Sequence, residues 1–261
     1  MLNEKSGSIY NRLAPWIIPV LLLIGWQLFT MNESVSGSIL PPPFEVIRTG
    51  ISMAISGDLW THIYISFSRA LTGFVIGGGL AILIGMLNGT YPFVEKHLDT
   101  TVQMFRNIPH LALIPLIILW FGVGEESKVV LVAIGVFFPI YINTYHGIRS
   151  VDKGLVEMGN VYRLSRWHLF SKVILRGALP SILVGIRYAL GTMWVTLIVA
   201  ETIAASSGIG YMSNNAREFM QLDIVVLAIL LYAILGKVAD SLAKLLEARL
   251  LKWSPVYQMK K

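Results

Sequence analysis

The sequence contains no cysteine, and only 14% of its 261 residues are charged. The lack of cysteine excludes disulfide bridges, thiolate metal sites and thiol nucleophiles. The charged fraction lies well below the roughly 25% that is typical of soluble globular domains. Because 55% of the residues are hydrophobic, the composition predicts an integral membrane protein.

Signatures of catalysis are also missing. The sequence has no G-x-x-x-x-G-K-[ST] phosphate loop and no constellation of nucleophile and base. Its histidines lack the spacing of metal ligands, which favours interfacial or core roles for them. They are His62, His97, His110, His146 and His168. We therefore predict a chain that is not an enzyme and holds no metal ion.

The net charge of +6 would suggest nucleic-acid binding in a soluble protein. In a membrane protein, however, an excess of Lys and Arg is expected on the cytoplasmic side, because positively charged loops are retained there. The charge thus indicates topology, and we expect no nucleic-acid partner.

Six apolar stretches approach or exceed the roughly 20 residues that cross a bilayer as a helix. They lie at about 13–31, 63–87, 102–121, 129–148, 180–205 and 224–246. The first could instead belong to a cleaved signal peptide with Ser36-Gly37-Ser38 at its end, but its apolar part is longer than such peptides use. We predict an uncleaved first span and an all-α protein with six transmembrane helices.

Small residues and prolines shape three of these spans. The second has a stripe of small residues spaced by four, which lets a neighbouring helix approach closely; it consists of Gly73, Gly77, Ala81, Gly85 and Gly89. Prolines should bend or break the third span, at Pro109 and Pro115. In the fourth, Pro139 and Asn143 lie one turn apart and suggest a wall lining a cavity. Before the second span, Pro43 can begin a short helix on the membrane surface.

The distribution of basic residues predicts the orientation. If the N-terminus is cytoplasmic, only Arg48, Lys128 and Arg217 fall on the outer side. The inner segments then hold Lys5, Arg12, Lys96, Arg106, Arg149, Lys153, Arg163, Arg166, Lys172, Arg176, Lys244, Arg249, Lys252, Lys260 and Lys261. By the positive-inside rule both termini are cytoplasmic. We expect a cytoplasmic N-terminus at 1–12, a membrane domain at 13–251 and a basic cytoplasmic tail at 252–261.

A basic stretch at residues 150–180 separates the fourth and fifth spans. Its apolar residues recur at helical spacing in two sets, Leu155, Met158 and Tyr162, then Trp167, Phe170 and Ile174. This pattern predicts two short amphipathic helices on the cytoplasmic side. Such helices could dock into a groove on a soluble partner, or they could lie on the bilayer with Trp167 at the interface.

Several motifs in this stretch resemble the EAA loop of permease subunits of binding-protein-dependent ABC importers. They are Glu157-Met158-Gly159, Leu164-Ser165-Arg166-Trp167, Val173-Ile174-Leu175 and Gly177-Ala178-Leu179-Pro180. The similarity extends to Leu40-Pro41, Ser68-Arg69 with Gly73, Arg106-Asn107-Ile108-Pro109, Leu113-Ile114-Pro115-Leu116 with Trp120-Phe121-Gly122, and Ala200-Glu201 with Ser207-Gly208-Ile209-Gly210-Tyr211. Together these motifs cover most of residues 38–250. They are most similar to aliphatic sulfonate permeases of the nitrate/sulfonate/taurine branch.

The resemblance implies the six-helix fold of type I ABC importers in a bacterial plasma membrane. It also implies a homodimer, two ATPase subunits that bind ATP and Mg, and an extracellular or periplasmic substrate-binding protein. Loop 150–176 would then contain the coupling helix, at 152–172. The residues implied to couple to the ATPase are Leu155, Glu157, Met158, Gly159, Tyr162, Arg163, Leu164, Ser165 and Trp167.

The substrate implied by the resemblance is a small oxyanion, foremost an aliphatic sulfonate. Taurine, nitrate and a pyrimidine precursor remain alternatives, since specificity in such systems resides largely in the binding protein. A transporter driven by an ion gradient is the alternative of a different class. It would more often show inverted repeats or several buried acids.

Two residues of the loop depart from the family pattern. Arg163 stands where the family usually has Gly, at a helix end that calls for a left-handed conformation. Keeping that conformation would cost about 1 kcal/mol. Arg176 stands where Pro is frequent. We hypothesise that one of these arginines pairs with an acidic residue of the ATPase.

Charged residues inside a membrane are costly and are candidates for function. Arg69, Arg187 and Glu201 meet this description, and the spacing of Arg187, Trp194 and Glu201 places them on one face of the fifth helix. A polar stripe lies close to it, formed by Ser181, Gly185, Tyr188, Thr192 and Thr196.

We predict that the fifth helix lines the translocation path. The path residues would be Arg187, Tyr188, Thr192, Thr196 and Glu201. Alternatively, Arg187 extends to the interface or forms a structural pair. Glu201 could contact the binding protein, close an outer gate or cap its own helix.

Overall fold

The computed structural model describes residues 3–30 and 40–253, with side chains described at residue 14 and from residue 17 onward in these ranges. This part of the chain consists of helices joined by short turns and contains no strand, as the all-α prediction requires. Most of the predicted tail at 252–261 lies outside the described residues. Contacts divide the chain into two units, Met1–His62 with Met212–Leu230, and Ile63–Tyr211 with Leu231–Lys261.

The helices follow the apolar stretches of the sequence. They are α1 (Asn3–Thr30), α2 (Pro43–Ser56), α3 (Asp58–Thr90), α4 (Pro92–Arg106), α5 (Ile114–Phe121), α6 (Glu125–Arg149), α7 (Lys153–Val161), α8 (Arg166–Leu169), α9 (Leu175–Ala204), α10 (Ile209–Glu218) and α11 (Leu222–Leu250). A 3-10 turn at His110–Leu113 precedes α5, and a π-helical segment at Phe170–Ile174 joins α8 to α9.

Four continuous helical segments are long and apolar enough to cross a membrane: α3, α6, α11 and the run Arg166–Ala204. A bent pair, α4 with His110–Phe121, makes a fifth span if it crosses as one unit. The predicted first span is helical, but its described apolar part, Ile17–Thr30, is shorter than the roughly 20 residues a span needs. The described residues thus contain four or five of the six predicted spans.

The third span is broken as predicted, but its helix begins ten residues before the predicted start at residue 102. The two parts are bent by 83° across the interval that contains Pro109, because a proline cannot continue the hydrogen-bond ladder of a helix. The helix starts already at Pro92, which occupies a first-turn position that suits proline. Two acids that precede the predicted span, Glu95 and Asp99, therefore lie on α4.

In the first unit, α2 confirms the helix predicted to begin at Pro43. Proline stands in its first turn, and Gly57 ends it with a left-handed φ of 89°. The hydroxyl of Thr49 on α2 donates to Asp223 Oδ2 of α11 at 2.5 Å.

The stripe of small residues on α3 packs against α6, as predicted. A Cβ atom added to Gly73 would lie 2.7 Å from Val132 Cβ, and one added to Gly77 would collide with the backbone of Ala133. Added Cβ atoms at Gly85 and Gly89 would lie 2.9 Å from Thr144 Cβ and Ile148 Cβ. The helix backbones can approach this closely only because these four positions are glycine.

Helices α6 and α9 pack together over much of their length and enclose the main core. Its fully buried residues include Val136 and Ile140 of α6 with Ala189 and Leu197 of α9. Such interdigitated side chains supply the dispersion contacts that hold helices together in lipid.

Pro139 and Asn143, which were expected to line a cavity, contact α9 directly. A Cβ atom at Gly185 would lie 2.6 Å from Asn143 Cβ and 2.9 Å from the Pro139 carbonyl oxygen. The Asn143 side chain donates to that same carbonyl at 2.8 Å, and Ser181 Oγ donates to the Asn143 carbonyl at 2.8 Å. The polar groups are thus used in helix packing.

Candidate functional site

Loop 150–176 contains the first predicted short helix as α7, whereas the second, α8, continues through the π-helical segment into α9 as one run, Arg166–Ala204. The fifth span therefore begins before the predicted Pro180, and the starts of α7 and α8 each have a side-chain cap. Asp152 Oδ1 accepts a hydrogen bond from the Gly154 amide at 2.7 Å at the start of α7. Ser165 Oγ accepts one from the His168 amide at 3.3 Å at the start of α8. Both caps satisfy amides that have no partner inside the helix. The loop therefore has a defined conformation within the chain itself.

The turn between α7 and α8 is a Schellman motif with arginine at its left-handed position. Arg163 has a φ of 51°. The Leu164 amide donates to the Gly159 carbonyl at 3.0 Å, and the Arg163 amide donates to the Asn160 carbonyl at 2.9 Å. These are the two hydrogen bonds that define the motif. The conformation that the family obtains with glycine is thus kept here, at a cost of about 1 kcal/mol.

Gly159 allows α7 to lie directly against the segment that follows the turn. A Cβ atom at this position would lie 2.5 Å from Leu169 Cδ1 and 3.4 Å from Leu164 Cδ1. Gly159 is buried, whereas the other eight residues predicted to couple to the ATPase are exposed. Glycine is therefore required by packing inside the loop, and the rest of the set faces outward.

The outward-facing residues of the loop include large apolar side chains. Tyr162 is 75% exposed, Trp167 is 71% exposed, and Val161, which the sequence pattern did not single out, is 79% exposed. Leu155 and Met158 are about half exposed. An exposed apolar surface of this kind marks a contact with another protein or with lipid.

A cluster of charged and hydroxyl side chains surrounds Arg69 of α3, close to the first residue of α6 and the last turn of α9. We call it the Arg69 cluster; it comprises Ser66, Arg69, Glu125, Lys128, Glu201 and Ser207. The Arg69 side chain is only 3% exposed. Its Nε and Nη2 donate to the two carboxylate oxygens of Glu125, both at 2.5 Å. This is the bidentate geometry in which guanidinium and carboxylate bind most strongly.

The remaining donors of Arg69 are also used. Nη1 donates to Glu201 Oε1 at 2.8 Å and to the Ser207 carbonyl at 2.6 Å, and Nη2 donates to Ser207 Oγ at 3.0 Å. A guanidinium has five N–H groups, so each has a partner. This full set of hydrogen bonds offsets the cost of burying the charge.

Glu201 is held by several donors besides Arg69. Its carboxylate accepts from Ser66 Oγ at 2.8 Å, from the Gly210 amide at 2.9 Å and from the Tyr232 hydroxyl at 3.2 Å. Its side chain is fully buried. The contacts of Glu201 within this chain are those of a buried structural anchor, which is none of the three roles considered from the sequence.

The turn after α9 fits closely around the Glu201 carboxylate. Gly208 has a φ of 108°, and a Cβ atom there would collide with the carboxylate oxygens. A Cβ atom at Gly210 would lie 2.7 Å from Glu201 Cβ. The glycines of the Ser-Gly-Ile-Gly sequence are thus needed for close approach. Sequence motifs had indicated Arg69, Glu201 and Ser207. The hydrogen bonds of Arg69 to Glu201, Ser207 and Glu125 are evident only from the structure.

The predicted path residues fall into two groups. Arg187, Tyr188 and Thr192 line a groove of about 730 Å³ along α9, closed on its other side by Gly236 and Asp240 of α11. We call it the α9 groove. Thr196 and Glu201 do not line it: Thr196 is fully buried and its Oγ1 lies 3.0 Å from His110 Nε2, while Glu201 belongs to the Arg69 cluster.

Arg187 both lines the α9 groove and forms an ion pair. Its Nε donates to Asp240 Oδ1 at 2.7 Å, and Lys244 Nζ lies 2.9 Å from the other oxygen of that carboxylate. The Arg187 side chain is 38% exposed. Pairing and access to a solute therefore coexist at this residue. Within residues 3–30 and 40–253, no group of three or more metal-ligating side chains comes together.

Helices long and apolar enough to cross a membrane, packed closely through glycine residues, are those of an integral membrane protein. The family model "Binding-protein-dependent transport system inner membrane component" matches residues 77–252. The chain belongs to this family. It is accordingly a multi-pass inner-membrane protein and a transport subunit without a catalytic role of its own.

Curated relatives extend the match to almost the full length. The putative aliphatic sulfonates transport permease protein SsuC of Escherichia coli K12 is 56% identical, over 95% of both chains. Its namesake in Bacillus subtilis 168 is 45% identical, over 98% of this chain and 94% of the relative. The taurine transport system permease protein TauC of Escherichia coli K12 is 34% identical, over 97% of both chains.

Solved structures show the same fold. An amino acid ABC transporter crystallised with histidines has a TM-score of 0.61 at 16% identity, over 76% of this chain and 97% of that one. The MetNI methionine ABC transporter in an inward-facing conformation has a TM-score of 0.54 at 18% identity, over 75% and 97%. These similarities confirm the predicted type I ABC importer fold.

Proposed function

We propose that this chain is the transmembrane subunit of an ATP-driven importer of aliphatic sulfonates. The observation that carries the proposal is the 56% identity, over 95% of both chains, to a protein named as an aliphatic sulfonate permease. The identity to the taurine permease, at 34% over 97% of both chains, is much lower. Taurine, nitrate or a pyrimidine precursor are the alternative substrates.

The proposed assembly contains two copies of this chain, two ATPase subunits and a substrate-binding protein. ATP and Mg bind to the ATPase, and the chain itself needs no cofactor. Both termini and loop 150–176 lie in the cytoplasm, in agreement with the distribution of Lys and Arg. The exposed apolar side chains of the loop, Tyr162 and Trp167 foremost, support its docking on the ATPase.

The α9 groove is the proposed translocation surface. The Arg187 guanidinium and the hydroxyls of Tyr188 and Thr192 can donate hydrogen bonds to the oxygens of a sulfonate as it passes. Since Asp240 already binds Arg187, such contacts would be brief, which suits transport better than tight binding. Arg187→Gln should slow sulfonate uptake while ATPase activity persists. Uptake at the normal rate would remove Arg187 from the path.

Uptake by the reconstituted complex tests the function. Proteoliposomes would enclose ATP and Mg, with the binding protein and labelled hexanesulfonate outside. We expect uptake that requires ATP hydrolysis and that excess unlabelled taurine or nitrate reduces only weakly. Uptake that continues without ATP but stops when ion gradients are dissipated would refute an ABC importer. Preferential uptake of taurine or nitrate would refute the substrate assignment alone.

A further inference from the structure

The two carboxylates that bind Arg69 differ in how firmly they are held. Glu201 has a fully buried side chain and accepts from Ser66, Gly210 and Tyr232 in addition to Arg69. The Glu125 side chain is 61% exposed, and its short contacts are to Arg69 alone. Glu125 could turn into solvent with little change in its own solvation, whereas Glu201 could not.

An open cavity lies beside this exchangeable carboxylate. It has a volume of about 260 Å³ and is lined by Tyr64, Ile65, Ser68, Arg69, Glu125 and Ser207. The lining combines the guanidinium with hydroxyl groups and some apolar surface. A group that replaced Glu125 on Arg69 would therefore find room, hydrogen-bond donors and a place for a short alkyl chain.

The charges of the cluster favour the binding of an anion at Arg69 once the Glu125 side chain turns away. Lys128 is buried, with its Nζ 3.9 Å from Glu125 Oε1 and 3.0 Å from the carbonyls of Val123 and Gly124. Arg69 and Lys128 balance Glu125 and Glu201 in the present arrangement. Without Glu125 the cluster carries one uncompensated positive charge in a poorly solvated place, where it is costly unless an anion pairs with it.

We propose that the Arg69 cluster is a binding site for one small oxyanion and that Glu125 occupies it when no ligand is present. Two ligand oxygens take the positions of the Glu125 carboxylate oxygens at Arg69 Nε and Nη2, while Glu125 turns into solvent. The assignment of the ligand as the sulfonate group of the substrate rests on the proposed function. The site shares no lining residue with the α9 groove, so it would bind the anion separately from the translocation surface.

Anion rescue in the assembled complex tests the site, with two neighbouring acids as a matched pair. Glu125→Ala removes the internal occupant, and Glu126→Ala removes an exposed acid that is not among the hydrogen-bond partners of Arg69. Thermal unfolding is measured with methanesulfonate or with chloride at equal ionic strength. We expect Glu125→Ala to lower the melting temperature, and methanesulfonate, but not chloride, to restore it. Glu126→Ala and wild type should show no such difference.

Affinity gives the second readout. Because Glu125 competes with the ligand, the dissociation constant of methanesulfonate should be at least tenfold lower in Glu125→Ala than in wild type, and adding Arg69→Lys should abolish that gain by removing the bidentate fork. Equal effects of methanesulfonate and chloride on Glu125→Ala would overturn the site. That comparison decides even if the Arg69 variant fails to assemble.

Parallel uptake measurements separate this proposal from the proposed function. Sulfonate uptake by wild type without methanesulfonate rescue of Glu125→Ala would refute the site and leave the function. Rescue without sulfonate uptake by wild type would support an oxyanion site and refute the assignment of its ligand as substrate.

Discussion

The Arg69 cluster buries charged side chains, whereas loop 150–176 exposes apolar side chains. The cluster buries Arg69 and Glu201 and gives every donor of the guanidinium a partner from the same chain. The loop exposes Tyr162 and Trp167 and keeps its basic residues in solvent. A buried ion pair is destabilising unless its partners are complete, and an exposed apolar patch calls for a partner outside the chain. Changes in the cluster should therefore affect folding, and changes in the loop should affect assembly.

The largest effect is expected from Arg69→Gln. The substitution leaves the fully buried Glu201 carboxylate without its counter-charge, which should cost about 3–5 kcal/mol. Arg149→Gln is the matched control: its pair with Glu95 is partly exposed, so its loss should cost less than about 1 kcal/mol. Thermal unfolding of the purified complex would show the difference. Equal losses of stability in the two variants would mean that burial does not distinguish these ion pairs.

Gly208→Ala should have the next largest effect, about 2–3 kcal/mol. The methyl group would collide with the Glu201 carboxylate, and the left-handed φ itself costs about 1 kcal/mol for a residue with a Cβ atom. Gly57→Ala isolates the second contribution, because Gly57 has a φ of 89° with no atom near an added Cβ. The two unfolding temperatures give the cost of the collision. If both variants lose the same stability, the turn around Glu201 is not closely packed.

These two regions also show how far sequence reasoning reaches. The first short helix of the loop and the position of its turn were predicted, because helix spacing and turn chemistry are local. The stripe of small residues on α3 was equally readable. The Arg69 cluster was not, since its residues come from distant segments such as Ser66, Glu125 and Ser207. Glu125 gave no signal beyond being one of two acids in a turn, and the sequence could not show that the Thr196 hydroxyl has a partner in His110.

Trp167→Ala tests whether the exposed apolar surface of loop 150–176 binds the ATPase. A large aromatic residue at the centre of an interface contributes about 2 kcal/mol or more to binding, so the affinity for the ATPase should fall about 30-fold while the stability of the chain changes little. Leu119→Ala is the control, since Leu119 is 78% exposed but lies outside the loop. Pull-down of the ATPase by the purified chain measures the effect. If both variants bind the ATPase as well as wild type does, the loop surface faces lipid instead.

Arg163→Gly should have the smallest effect and the opposite sign. Glycine adopts the φ of 51° without the steric cost of a Cβ atom, so the local turn should gain about 1 kcal/mol, reduced somewhat by the greater freedom of glycine in the unfolded chain. If Arg163 also pairs with an acid on the ATPase, the same variant should assemble less well at low salt and equally well at high salt, because exposed pairs are screened. Stabilisation together with salt-independent assembly would show that arginine is tolerated at this turn rather than used there. The salt dependence of assembly thus decides whether Arg163 binds the ATPase or serves only the turn within its own chain.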